Sequence, residues 1–356
     1  MIMPNSFLDG LTIPTHSSTK PSKISLGLND DNEEHLNLLH DGSNAHLNNF
    51  TGNIVDNKLF LNKGNFKFED ITSKADVACS DVWSTGATFA DINGDGYLDL
   101  YVCKSGPPGG ENGNNELFIN NGDLTFTEKS EEYNLDVTGL SVHSAFFDYD
   151  KDGDLDCYIL NNSFRNVGGY DLIEDQRKIP DPDGQGNKFF ENVGNKFVEV
   201  TKESNIFSSN IGFGLGITLS DFNNDGWTDL FISNDFFEKD YLYINNKDKT
   251  FTENSEHYFK SMSLGSMGAD SADLDNDLLT DLFVTEMLPK SLKRKKTKAV
   301  YDSWDKHQLA VSKGYFYQYP RNVLQRNYGD SGFLEIGRYS GLAATEWSWA
   351  SMIFDM

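Results

Sequence analysis

Asp148-Tyr-Asp-Lys-Asp-Gly-Asp-Leu-Asp156 decides the fold, because three other segments align with it without a gap. These are Asp91 to Asp99 (DINGDGYLD), Asp221 to Asp229 (DFNNDGWTD) and Asp273 to Asp281 (DLDNDLLTD). Each has Asp first, Asn or Asp third, Asp fifth and Asp ninth. Self-similarity of this kind marks a repeat architecture, and a repeat governs every local reading that follows.

Working outward, each segment runs into a short β-branched or aromatic stretch: Leu100-Tyr-Val102, Cys157-Tyr-Ile159, Leu230-Phe-Ile232 and Leu282-Phe-Val284. These read as strands. Small residues precede the loops, as in Ser84 to Ala90 and Gly212 to Ser220, where glycine points to close backbone approach in a strand. A second motif alternates with the first. Asn57 to Glu69 (NKLFLNKGNFKFE) recurs as Asn115 to Glu128, Asn187 to Glu199, Asp240 to Glu253 and Asn322 to Glu335. Apolar runs around an Asn/Gly/Asp turn are a hairpin signal.

Strand, acidic loop, strand and hairpin make four strands per unit, the composition of a propeller blade. Loop starts are 57, 73 and 52 residues apart, which fits insertions between second and third strands. Units are expected at about 51–72 (incomplete), 85–130, 141–202, 214–255 and 265–337, with a further first strand beginning near Trp347. The expected fold is therefore all-β: a β-propeller of four-stranded blades with calcium loops over residues 51–356, an incomplete ring cut in mid-repeat. Alternatively, the last strand completes the first unit and closes a small ring. Residues 1–50 hold four of the seven histidines and show no period; they read as a divergent or disordered leader.

The acidic loops suit calcium, a hard cation that takes six to eight oxygens. Side-chain oxygens at positions one, three, five and nine wrap one ion: Asp91, Asn93, Asp95 and Asp99; Asp148, Asp150, Asp152 and Asp156; Asp221, Asn223, Asp225 and Asp229; Asp273, Asp275, Asp277 and Asp281. The backbone carbonyl at position seven adds Tyr97, Asp154, Trp227 and Leu279. Magnesium fits less well, because it holds its waters and demands a stricter octahedron. An EF-hand needs Glu at position twelve, where this chain has Val102, Ile159, Ile232 and Val284. Up to four sites are expected, unequal in strength. The Asp148 loop has four carboxylates at ligand positions, and the Asp273 loop has Leu278 where the others have a turn glycine. That substitution predicts a distorted or weak site.

Composition supports this reading and excludes others. Apolar residues make up 38% of the 356-residue chain and aromatics 13%, enough for a sizeable core. A formal charge of −25 disfavours nucleic acid and anionic membranes as partners. Cys79, Cys103 and Cys157 form no metal-type spacing or disulfide framework, and two of them sit in apolar runs as buried thiols. No stretch reaches the length of a membrane span, and no signal peptide is visible.

These motifs resemble FG-GAP/VCBS repeats, the repeats of integrin α-subunit propellers and many bacterial surface proteins. The hairpin motif, Met287-Leu-Pro289 and Ala344 to Ala350 (ATEWSWA) look similar to bacterial relatives of cartilage acidic protein, often found with a UnbV/ASPIC-type tail. The resemblance covers about Thr51 to Met356 and implies a calcium-stabilised propeller in the cell envelope or outside the cell, without naming a ligand.

The expected function is a binding or adhesion module for a protein or polysaccharide. The rival readings are a propeller-scaffold polysaccharide lyase or hydrolase, and a truncated product with no function of its own. His143, His257 and His307, the histidines outside the leader, sit in no recognisable nucleophile or metal array, so no enzyme activity is expected. The basic run Lys290 to Lys298 reads as a solvated loop or helix end before a helix around Ala299 to Lys313; contact with an anionic glycan or acidic neighbour is the alternative. Ser105 to Gly113 reads as an insertion loop, and Trp227, Trp347 and Trp349 as core or sugar-stacking aromatics.

Overall fold

The computed structural model describes residues 56–79, 83–105, 113–163, 186–209, 211–298 and 303–354, and four short strands nearer the N-terminus. Two compact units emerge, Met1–Trp83 and Ser84–Met356.

In the first unit, β1 (Ile2–Met3) pairs with β5 (Lys58–Asn62), which forms a hairpin with β6 (Phe68–Asp70). A separate antiparallel sheet joins β2 (Lys23–Leu26), β3 (Leu36–His40) and β4 (Ala45–Leu47). The segment read as a leader thus supplies β1 to β4. A short helix, α1 (Thr72–Ala75), follows β6.

The second unit is built from four four-stranded antiparallel meanders. Their strands are β7 to β10 (Ser84–Ala90, Asp99–Lys104, Glu116–Asn120, Phe126–Glu128) and β11 to β14 (Ser141–Phe147, Asp156–Asn161, Lys188–Asn192, Phe197–Glu199). The third sheet is β15 to β18 (Gly214–Ser220, Asp229–Asn234, Tyr241–Asn245, Phe251–Glu253). A short parallel pair, β19 (Met262–Ser263) with β22 (Gln318–Tyr319), flanks the fourth sheet of β20, β21, β23 and β24 (Ala269–Ala272, Asp281–Val284, Val323–Asn327, Phe333–Glu335). The first strands are neighbours in sequence order, β7 by β11, β11 by β15, β15 by β20, so the sheets stand as successive propeller blades in an open array.

Hydrogen bonds pin these neighbours: Thr85 and Thr88 donate their hydroxyls to the carbonyls of Ser141 and Ser144 at 2.6 and 2.8 Å, and Thr218 donates to Ala269 at 3.1 Å. Glycine is required where the chain at or beside a first strand meets neighbouring backbone. A methyl on Gly86 would collide with the Val142 carbonyl, and one on Gly268 would lie 2.9 Å from the Trp349 carbonyl.

Second strands explain why the apolar triplets show no alternation. Cys157 and Ile159 enter a core with Tyr101, Cys103 and Leu117 of the first sheet, whereas Tyr158 and Leu160 join Leu230, Ile232 and Tyr243 of the third. Phe231 then turns to Leu282 and Val284 of the fourth. A strand sandwiched between two sheets buries both faces and reads as a continuous apolar run.

Each meander is closed by a repeated device where its second strand meets its third, and in the first and third a second device follows the hairpin. Asn115, Asn187, Asp240 and Asn322 accept a backbone N–H from the end of the second strand, at Lys104, Asn161, Asn234 and Glu286, over 2.7–3.1 Å. These are the first residues of the hairpin motif, which explains its polar start. The tail acid of the hairpin caps the following turn: Glu128 and Glu253 accept the N–H of Ser130 and Ser255 at 2.8 and 2.9 Å, opening α2 (Ser130–Tyr133) and α3 (Ser255–Tyr258).

Insertions fall between second and third strands, as the spacing predicts. The longest described one carries α4 (Leu292–Lys298) and α5 (Trp304–Ser312), whose N-cap Ser303 accepts the Lys306 N–H at 3.2 Å. The basic run therefore lies largely on a helix of its own, and α5 covers most of the described part of the helix expected over Ala299 to Lys313. Most of the Ser105 to Gly113 loop lies outside the described residues.

The first strand expected near Trp347 is corrected: residues 345–354 run beside β20, with Ile353 donating its N–H to Asp270 at 2.6 Å, but form no strand. Among the described residues they have no second strand to pair with. Trp347 and Trp349 are exposed and stack on each other at 6.2 Å, so neither is core. Cys103 and Cys157 are buried, Cys79 is half-buried, and none of the three forms a disulfide among the described residues. Among the described residues no helix is long and apolar enough to cross a membrane.

Candidate metal centres

Each acidic loop joins the first and second strands of a sheet and folds around its own carboxylates. The position-one carboxylate accepts the position-six N–H in all four: Gly96 on Asp91 at 2.9 Å, Gly153 on Asp148 at 3.1 Å, Gly226 on Asp221 at 2.6 Å and Leu278 on Asp273 at 2.9 Å. Position five in turn accepts the N–H of position seven, from Tyr97, Asp154, Trp227 and Leu279, at 2.8–3.2 Å. These bonds hold the position-one and position-five carboxylates inside the loop.

Tight wrapping needs left-handed backbone twice. Position six is positive in φ at Gly96, Gly153, Gly226 and Leu278, and so is position four, at Gly94, Lys151, Asn224 and Asn276. The first requirement is legible from glycine. The second is masked by Lys151, although Gly and Asn at the other three are the residues that tolerate this region.

The distortion expected from Leu278 is not seen. The residue adopts φ +69° and makes the same hydrogen bond to Asp273 as its glycine counterparts, so the Asp273 loop is not distorted. Its side chain is 83% exposed and relieves none of the backbone strain. Leu278→Gly is expected to stabilise the chain by about 1 kcal/mol, read as a higher melting temperature in chelator; a lower one would show that the leucine is not strained.

Position nine has a role that spacing alone did not show. Asp99, Asp156, Asp229 and Asp281 are buried, and each clamps two backbone donors. One oxygen accepts from position two of the loop (Ile92, Tyr149, Phe222, Leu274), the other from the end of the third strand (Asn120, Asn192, Asn245, Asn327), over 2.8–3.2 Å. These carboxylates bracket loop to sheet while retaining lone pairs on the loop side.

The Asp148 loop is the most demanding electrostatically. Ligand atoms of Asp148, Asp150 and Asp156 lie within 4.8 Å of one another, as do those of the exposed Asp273, Asp275 and Asp277. In the Asp148 loop, Asp148 Oδ1 and Asp154 Oδ1 are buried with no hydrogen-bond partner. Burial, reinforced by the neighbouring carboxylates, pushes Asp156 up to about 8 and Asp154 to about 6. Asp154 is thus a fifth carboxylate, by its side chain as well as its backbone, which the residue pattern had not indicated. Unpartnered buried oxygens crowded by like charge fit a divalent cation.

The Asp91 and Asp221 loops relieve the same crowding differently. Asn93 and Asn223 donate their amides to Asp95 and Asp225 at 2.9 and 2.8 Å. Asp229 is raised to about 7 by burial, whereas Asp225 is lowered: burial opposes ionisation, but hydrogen bonds from Asn223, Lys247 and the Trp227 N–H outweigh it. Asp99 and Asp281 are raised by burial like the other position-nine acids.

A family model described as FG-GAP-like repeat matches residues 45–102, 109–159 and 221–284. Cartilage acidic protein 1 of Xenopus tropicalis is 28% identical over 184 residues, 50% of this chain and 25% of that protein, so the chain spans about a quarter of that relative. Two solved structures overlap in part: a Bacillus licheniformis rhamnogalacturonan lyase PL11 (TM-score 0.30, 12% identity, 56% of this chain, 39% of that one) and rhamnogalacturonan lyase YesW (TM-score 0.31, 14%, 57% and 40%).

Proposed function

We propose that this chain, an FG-GAP repeat protein, binds calcium in its acidic loops and serves as a rigid extracellular module presenting its insertions to a protein or glycan partner. The observation that carries the calcium reading is the pair of buried, unpartnered oxygens on Asp148 and Asp154, inside a loop of five carboxylates. Bound calcium would supply the positive charge that lets those acids ionise together. The chain's own part is orientation: loop N–H groups hold the position-one and position-five carboxylates, and position nine fixes the loop to its sheet.

Topology supports the module. Acidic loops join first to second strands and insertions join second to third, so antiparallel pairing sends them to opposite ends of each sheet. Ions stiffen one end, and the variable segments stand at the other, where loops held on a rigid scaffold recognise partners. The insertion of the fourth sheet presents the basic helix α4 and an exposed Trp304. A binding role without catalysis is favoured by the histidines, since His143 is largely buried beside Gly86 and His307 stacks on Tyr319 at 5.5 Å.

Metal counting by mass spectrometry after dialysis against calcium is expected to find up to four ions per chain; none would sink the calcium reading. A glycan array run beside a depolymerisation assay on the loaded protein separates binding from catalysis, and release of oligosaccharide would overturn the module.

A further inference from the structure

In three of the four loops a basic side chain already rests on a proposed ligand carboxylate. Lys247 lies 3.2 Å from Asp225, and Arg326 pairs with Asp275, each within its own sheet. Lys249 is different. It comes from the turn between β17 and β18 of the third sheet and crosses to the loop of the second, 2.8 Å from Asp150 Oδ2 and 2.6 Å from Glu191 Oε1. The Asp150 side chain is only 4% exposed, so this ammonium neutralises a carboxylate that water scarcely reaches.

The same junction is fixed by two contacts independent of that ion pair. Asn245 donates its amide to the Tyr149 carbonyl at 2.7 Å, and the Lys151 ammonium lies 4.5 Å from the centre of the Trp227 ring. The loop is therefore held in place whether or not Lys249 stays on Asp150. Asp150 Oδ1 already accepts the Asp152 N–H at 3.2 Å, which leaves Oδ2 as the oxygen for an incoming ion.

We propose that Lys249 is a tethered competitor of the divalent ion at the Asp148 loop: both use Asp150, and loading the loop displaces the lysine. The inference rests on the calcium reading and adds an affinity determinant to it. Two positive charges within a few ångströms repel, and by linkage each must weaken the other equally. Lys249 is itself 52% exposed, so the competition is modest, about five- to tenfold in calcium affinity. Its consequence is a junction between the second and third sheets that trades an ion pair for a metal ion as calcium rises.

The test is Lys249→Gln, with Lys249→Arg as the conservative control. Calorimetric titration of chelator-stripped protein with calcium, with Asp150→Asn assigning the heat of this loop, is expected to show five- to tenfold tighter binding for K249Q and near wild-type binding for K249R. Melting in chelator is expected to show K249Q below wild type, and the deficit to shrink in saturating calcium. Equal or weaker calcium binding by K249Q, or a deficit of the same size in both buffers, overturns the inference alone. A wild-type chain that takes up no calcium overturns the calcium reading as well.

Discussion

Stripping divalent ions at pH 8 lowers the melting temperature by about 10 °C or more, and the gap shrinks as the pH is lowered to 5.5. The size follows from mass action: each site held far above its dissociation constant contributes about 4 kcal/mol, and several loops act together. The pH dependence follows from the buried acids. In the metal-free chain Asp156 is pushed up to about 8, Asp229 to about 7 and Asp154 to about 6, burial being the first cause for each. Unfolded carboxylates titrate near 4. Between about pH 4 and 8 the folded metal-free chain therefore holds protons that the unfolded chain has lost. The stability these groups contribute is complete below about pH 4 and is lost as the pH rises through 6 to 8. Calcium replaces those protons, and its affinity rises as they leave. Calorimetric melts in calcium and in chelator at both pH values check this; a gap as large at pH 5.5 as at pH 8 would contradict it.

What the sequence disclosed, and what it withheld, divides along contact range. The acidic loops were legible because their spacing is local: position one bonds position six within one turn, so residue type and interval encode geometry. Hairpins were legible for the same reason, from their turn residues and polar first position. The four-residue turns α1, α2 and α3 were not, being too short for any period. Lys249 on Asp150 and Asn245 on Tyr149 were invisible because the blades bring together residues far apart in the chain; the second pair is separated by 96 positions. Leu278 marks a different limit. Propensity correctly registered a penalty, but the Asp273 carboxylate holds the backbone in place, so strain appears as energy and not as distortion. Position nine is the subtlest case, since an aspartate at that interval serves equally as ligand or bracket until its oxygens are seen clamped on Phe222 and Asn245.

That double role yields a sharp contrast within one loop. Asp229→Ala is expected to destabilise the chain by about 3–5 kcal/mol even in chelator, whereas Asp225→Asn costs less than about 1 kcal/mol there. Asp229 is 0% exposed, with Oδ2 accepting the Phe222 N–H and Oδ1 the Asn245 N–H, each at 2.9 Å. Alanine removes both acceptors and leaves two buried donors without partners, each carrying its desolvation penalty. The Asn245 amide that bonds the Tyr149 carbonyl is released with them, so the loss spreads to the junction with the second sheet. Asp225 is more open, and an asparagine there keeps an oxygen for the Trp227 N–H while giving up the Asn223 amide bond and the ion pair to Lys247. Its effect belongs to the metal: in calcium D225N is expected to lose the ion of this loop and fall behind wild type, and in chelator to rejoin it. Urea unfolding of both variants with and without calcium reads the four numbers. If D229A matched wild type in chelator, the bracket would carry no structural weight and position nine would be a ligand alone.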